Sequence, residues 1–103
     1  MRSLQYRGVL IRVVHEGAAL QILRTEVEPG SEFDRSELGN SSACHYVLDG
    51  NPVFESPGCS ADLMPGDSIF FGRDKPYRVC NRTPSHSVIL SVLVGGTDTE
   101  AGI

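Results

Sequence analysis

Pro65 to Asn81, PGDSIFFGRDKPYRVCN, constrains the fold more than any other stretch of the chain. Pro65-Gly66-Asp67 is a tight turn, because proline presets φ and glycine accepts a conformation closed to other residues. Ser68 to Phe71 then reads as a short apolar strand and Gly72 to Lys75 as a second turn. Pro76 to Asn81 is another strand, closed by the loop from Asn81 to Ser85. Turn, strand, turn, strand, turn in so few residues is the rhythm of a small all-β barrel or sandwich.

The rest of the chain keeps that rhythm. Gly8 to His15 is β-branched and apolar, and Ala18 to Val27 follows across Glu16-Gly17, so an antiparallel hairpin is expected. Ala and Leu would also suit a helix over 18–27. The alternation of Gln21, Leu23, Thr25 and Val27, between a Gly17 start and a Pro29-Gly30 stop, favours strand. Ser31 to Ser42 is polar and reads as a loop with a brief strand at most. Ala43 to Leu48 is a strand, Asp49-Gly50-Asn51 a hairpin turn, and Pro52 to Glu55 the return strand. Ser60 to Met64 and Ser85 to Val94 supply two more strands, and residues 96–103 read as a loose tail. Eight or nine short strands without a convincing helix predict one antiparallel β domain over residues 1–103.

Composition excludes several classes. At 103 residues there is enough chain for one core, and the 40% hydrophobic content is ordinary. The longest apolar runs, Gly8 to Val14 and Val88 to Val94, are too short to cross a bilayer, and no signal-peptide pattern opens the sequence. A cytoplasmic protein with no membrane partner is expected. A net charge of −4 with scattered basic residues argues against nucleic acid. Cys44, Cys59 and Cys80 are odd in number and widely spaced, which fits reduced thiols and neither a disulfide framework nor a CxxC metal site.

The spacing of glycines, proline and asparagine resembles that of the cupin superfamily. Its second motif runs Gly, five residues, Pro-x-Gly, two residues, His, three residues, Asn. From Gly66 those places fall on Gly72, Asp74, Tyr77 and Asn81. Its first motif runs Gly, five residues, His-x-His, four residues, Glu, six residues, Gly. From Gly30 those places fall on Ser36, Leu38, Ala43 and Gly50, and Tyr46 to Gly50 is similar to the common ending of that motif. The motifs span residues 30–81. The resemblance implies an antiparallel jelly-roll β-barrel. It also implies a metal held by two His and a Glu of the first motif and a His of the second. Here those four positions are Ser36, Leu38, Ala43 and Tyr77, of which Leu and Ala have no lone pair to give and Ser and neutral Tyr are poor donors. A cupin without metal or other cofactor is therefore expected.

If Ala43 takes the inward place of the family's Glu, alternation turns His45 and Val47 inward and Cys44 and Tyr46 outward. Tyr77 and Val79 point inward by the same rule, and Cys80 outward. His45 is then an acid, base or ligand anchor, or a core histidine whose nitrogens are met by its neighbours. Two function classes follow. One is a binding or regulatory module holding a small, partly apolar molecule against Leu38, Phe33, Phe71, Val79 and Leu90, oriented by His45 and Tyr77. The other is an isomerase, epimerase or cyclase using His45 and Tyr77, or a metal enzyme with unusual ligands such as Asp34 or Glu37. A fold of the last hairpin about Thr83 and Pro84 places Tyr77 near Leu90. The apolar first and last strands, Val9 to Ile11 and Ile89 to Val92, predict a homodimer formed through edge strands.

Overall fold

The computed structural model describes residues 3–39, 41–73 and 75–95, so the expected tail at 96–103 lies outside the described residues. Ten strands form: β1 (Ser3–Tyr6), β2 (Val9–Glu16), β3 (Leu20–Val27), β4 (Glu32–Asp34), β5 (Ser42–Asp49), β6 (Val53–Ser56), β7 (Cys59–Asp62), β8 (Ser68–Phe71), β9 (Arg78–Cys80) and β10 (Ser87–Val94). A single 3₁₀ turn, Arg35–Leu38, interrupts them among the described residues. The strands build two antiparallel sheets, ordered β1-β2-β3-β10-β5-β8 and β4-β9-β6-β7.

The two sheets face each other across one core. Val9, Ile11, Leu23, Val27, Ala43, Val47, Ile89 and Leu93 come from the larger sheet, and Phe33, Phe54 and Val79 from the smaller. Their period of two along each strand is what buries them: β5 alternates buried Ala43, His45 and Val47 with exposed Cys44, Tyr46 and Leu48. The preference for strand over helix at 18–27 holds, since Leu23, Thr25 and Val27 are the buried set of β3.

Two motif positions knit the sheets together. Asn81, 1% exposed, donates from Nδ2 to Val27 O (2.8 Å) and Ser85 O (2.7 Å), while its Oδ1 accepts from the Thr83 amide at 3.0 Å. Its backbone exchanges hydrogen bonds with Gly30 and Ser31, so the two ends of the motif region meet. Gly50 has φ 82°, and a Cβ there would lie 2.5 Å from His86 O, so both backbone conformation and close approach require glycine. Pro65-Gly66-Asp67 is the expected bend, with Gly66 N donating to Val47 O and Val47 N to Asp67 O, both at 2.9 Å.

Ser3 to Tyr6, for which the sequence gives no strand signal, forms β1 and pairs with β2. Four expectations are corrected. Asp49-Gly50-Asn51 is a turn without a hairpin, because it carries the chain from β5 in one sheet to β6 in the other. The connection through Thr83 and Pro84 likewise crosses between sheets, from β9 to β10. Turn chemistry fixes a local reversal and leaves the choice of ladder open; β5 pairs with β10 and β8 instead. In consequence Leu90 is not a pocket residue: it lies half-buried on the outward phase of β10, between fully buried Ile89 and Ser91, opposite Tyr46 and Arg24. Finally, β2 and β10 are interior strands of the larger sheet, whose edges are β1 and β8, so neither can pair edge to edge with another copy.

Candidate functional site

Register lays out the inner face of the larger sheet in rows. Val13, Leu23, Ser91, His45 and Ile69 share one row. Gln21, Leu93, Ala43 and Phe71 form the row on one side of it. Ile11, Thr25, Ile89 and Val47 form the row on the other. His45 thus stands beside Ala43, facing the smaller sheet, as the alternation predicts.

His45 is fully buried and both its ring nitrogens are occupied. Nδ1 lies 2.7 Å from Ser91 Oγ and Nε2 lies 2.7 Å from the Tyr77 hydroxyl. Burial, aided by the nearby Arg35 charge, pulls its pKa down to about 4, so the imidazole is neutral at neutral pH. A neutral imidazole has one donor and one acceptor nitrogen. The phenol is the stronger acid of its two hydroxyl partners, so the natural order is Tyr77 O–H donating to Nε2 and Nδ1–H donating to Ser91 Oγ. Desolvation pushes the Tyr77 phenol up to about 12, which keeps that proton in place.

Aromatic rings enclose this chain of hydrogen bonds. Tyr77 stacks on Phe71 with centroids 4.0 Å apart at 13°, and Phe54 lies 5.2 Å from the His45 ring. Above Tyr77 sits Arg35, its guanidinium carbon 5.5 Å from the ring centroid and its side chain 7% exposed. Arg35 Nη1 donates to Gly72 O (2.7 Å) and Lys75 O (2.5 Å), Nη2 donates to Ser41 O, and the Arg35 amide donates to Tyr77 O at 3.0 Å. Its Nε has no partner among the described residues. The arginine clamps the 3₁₀ turn to the segment that delivers Tyr77.

Sequence reading found His45, Tyr77 and Phe71, and the structure brings these three together. It missed Arg35, Ser91 and Phe54. Ser91 has a readable signal, a small polar residue inside the apolar run of β10; Phe54 has none from alternation, since Val53 and Phe54 are both buried in β6; Arg35, in a polar segment, has none either. Cys80, expected on the outward face, is there but buried, its Sγ 3.7 Å from both Glu32 and Glu55 carboxylates.

The donor set does not fit the metal that the resemblance implies. Ser36 is exposed on the 3₁₀ turn, Leu38 and Ala43 offer no lone pair, and Tyr77 is neutral and bound to His45. Among the described residues no group of three or more His, Cys, Asp or Glu is arranged to hold a metal ion.

Three clefts distribute the remaining expected residues. One of about 210 Å³ lies along the Val13–Leu23 end of the inner rows and is lined by apolar Leu4, Ile11, Val13, Leu23 and Leu38 together with polar Ser3, Gln21 and Glu37. A second, about 450 Å³, includes Phe33 with Arg7, Glu32 and Asp34. A third, about 310 Å³, includes Tyr77 with Pro57 and Pro76. His45, Phe71 and Val79 line none of them.

No family model matches the chain, and no curated protein does. Solved structures do. A cupin superfamily protein from Desulfitobacterium hafniense superposes with a TM-score of 0.74 at 17% identity, over 88% of this chain and 83% of that one. The cupin domain of an XRE family transcriptional regulator from Enterobacter cloacae gives 0.75 at 15% identity, over 85% and 97%. KdgF from Halomonas sp. gives 0.75 at 15% identity, over 91% and 87%. With motif spacing, sheet topology and these superpositions in agreement, the chain has the cupin fold.

Proposed function

We propose that this chain is a small-molecule-binding or regulatory module on a jelly-roll cupin frame, metal-free, homodimeric and cytoplasmic. The observation that carries the reading is the closed state of the position where the fold would hold its metal. His45, Tyr77 and Ser91 satisfy one another there, and Phe54, Phe71 and Arg35 seal them in. A general acid or base must reach the proton it moves. Both nitrogens of His45 are taken and none of its surface is exposed, so the acid–base enzyme reading has no open group to work with. Of the three clefts, the one assigned to a ligand is the 210 Å³ cleft beside the network, because Ile11, Val13, Leu23 and Leu38 give it an apolar wall. Its size and mixed lining suit a small, partly apolar molecule, and Leu23 adjoins Ser91 in the same row, so His45 and Tyr77 act by holding that wall in place. The regulator-borne cupin domain among the similar structures agrees with a sensing role.

Neutral aromatic probes test this. Indole or benzyl alcohol added to the ¹⁵N-labelled protein is expected to shift the amides of Val13, Leu23 and Leu38 in a saturable way. Leu38→Trp, which fills the cleft, should abolish those shifts. Shifts confined to other surfaces, or none at millimolar probe, would refute the cleft as the binding site.

A further inference from the structure

The 210 Å³ cleft grades from apolar to acidic along its length. Ile11 and Leu23, almost fully buried, make its deep end, and half-exposed Leu4 and exposed Glu37 its outer one. Among the described residues no ion pair or hydrogen bond engages the Glu37 carboxylate. Glu37 also lines the neighbouring 450 Å³ cleft, but the other acids there, Glu32 and Asp34, both face Arg78, at 3.8 and 3.4 Å. The remaining polar lining leans the same way. Gln21 Nε2 donates to Glu16 Oε2 at 3.2 Å, which leaves the Gln21 amide oxygen to accept. Among the described residues no Lys or Arg lines the cleft; Arg12 and Arg24, on its flanking strands, belong to the opposite face of the sheet.

We infer that the ligand of this cleft is a small amphipathic cation, an apolar ring or chain ending in a protonated amine that meets Glu37. The inference rests on the reading of this cleft as the binding site and adds the chemical class of its ligand. An apolar cavity of about 150 Å³ takes one benzene. A cleft of 210 Å³ therefore admits a single ring and a short arm. The ring displaces water from Ile11, Val13 and Leu23. An ammonium brings three donors and no acceptor, which matches acceptors in the lining and a full negative charge at the outer end. A carboxylate in the same place would meet Glu37 as a like charge. The chain's net charge of −4 acts in the same direction at longer range.

Three probes that share one ring system test the class: at neutral pH indole is uncharged, tryptamine cationic and indolepropionate anionic. Each is titrated into the ¹⁵N-labelled native protein and read at the amides of Val13, Leu23 and Leu38. At low salt tryptamine is expected to bind about fivefold more tightly than indole, the upper range for one partly exposed ion pair, and indolepropionate more weakly than either. The preference for tryptamine over indole should shrink toward unity at high salt. Glu37→Gln should remove that preference. Asp62→Asn, which takes the same charge from the edge of the smaller sheet, should keep it. Equal affinity for indole and tryptamine in the native protein, or tighter binding of indolepropionate, would overturn the inference and leave the cleft standing as a binding site. So would a preference that survives Glu37→Gln, or one that Asp62→Asn erases as fully. No saturable shift with any of the three would overturn the reading of the cleft itself.

Discussion

His45 concentrates the chemistry of the interior in one side chain, and its protonation couples to folding. Its pKa in the folded chain, about 4, lies below the ordinary 6.5. Between those values the unfolded chain binds a proton that the folded one refuses. Stability therefore rises with pH across this window and is lost as pH falls through it, in all by about 3 kcal/mol. Tyr77 sets the opposite limit, since a phenol raised to about 12 costs stability as pH climbs past 10. His45→Phe fills the space but strands the Tyr77 and Ser91 hydroxyls, each left buried without its partner. We expect it to cost about 2–4 kcal/mol at pH 7 and to flatten the dependence between pH 4 and 6.5. Urea midpoints at pH 7 and pH 5 for both proteins check this; an unchanged slope in the variant would assign the acid sensitivity to other groups.

At the scale of elements, the decisive piece is the 3₁₀ turn and the arginine it carries. Arg35 reaches carbonyls 37 and 40 residues away, so it fixes the approach of Tyr77 more than any local turn does. Lysine keeps the charge but has one ammonium for three separated acceptors. Arg35→Lys is expected to destabilise by about 2–3 kcal/mol and to speed amide exchange at Lys75 and Arg35, read by hydrogen-exchange mass spectrometry or NMR. Exchange there as slow as in the native chain would mean that the clamp is dispensable. Such a contact leaves no trace in sequence, because an arginine in a polar segment reads as solvated wherever its guanidinium ends. The strands were legible for the converse reason: Ala43, His45 and Val47 declare their face by a period of two, and Pro65-Gly66-Asp67 declares its bend by backbone chemistry. Pairing was not. Nothing near Asp49-Gly50-Asn51 or Thr83-Pro84 reveals that each turn passes the chain to the opposite sheet, which is also why sequence alone puts Leu90 inside and β10 at an edge.

The whole molecule keeps the frame of its fold while changing what the frame encloses. Gly30 and Asn81 still tie the ends of the motif region together, and Gly50 still takes the tight approach that only glycine allows. Inside, the expected ligand places are Leu38, Ala43 and a Tyr77 that satisfies His45, so the interior is a neutral, closed network beside a small, partly apolar cleft. Among the described residues no helix is long and apolar enough to cross a membrane. The state of His45 decides whether the site is closed, and the most direct measurement is long-range ¹H–¹⁵N NMR of its ring from pH 8 to pH 4, repeated with equimolar Zn²⁺. We expect a single neutral tautomer, protonated at Nδ1, that holds until the pH nears 4 and does not move when zinc is added. A ring that titrates near 6.5, or whose nitrogens shift on addition of zinc, would contradict a closed, metal-free site.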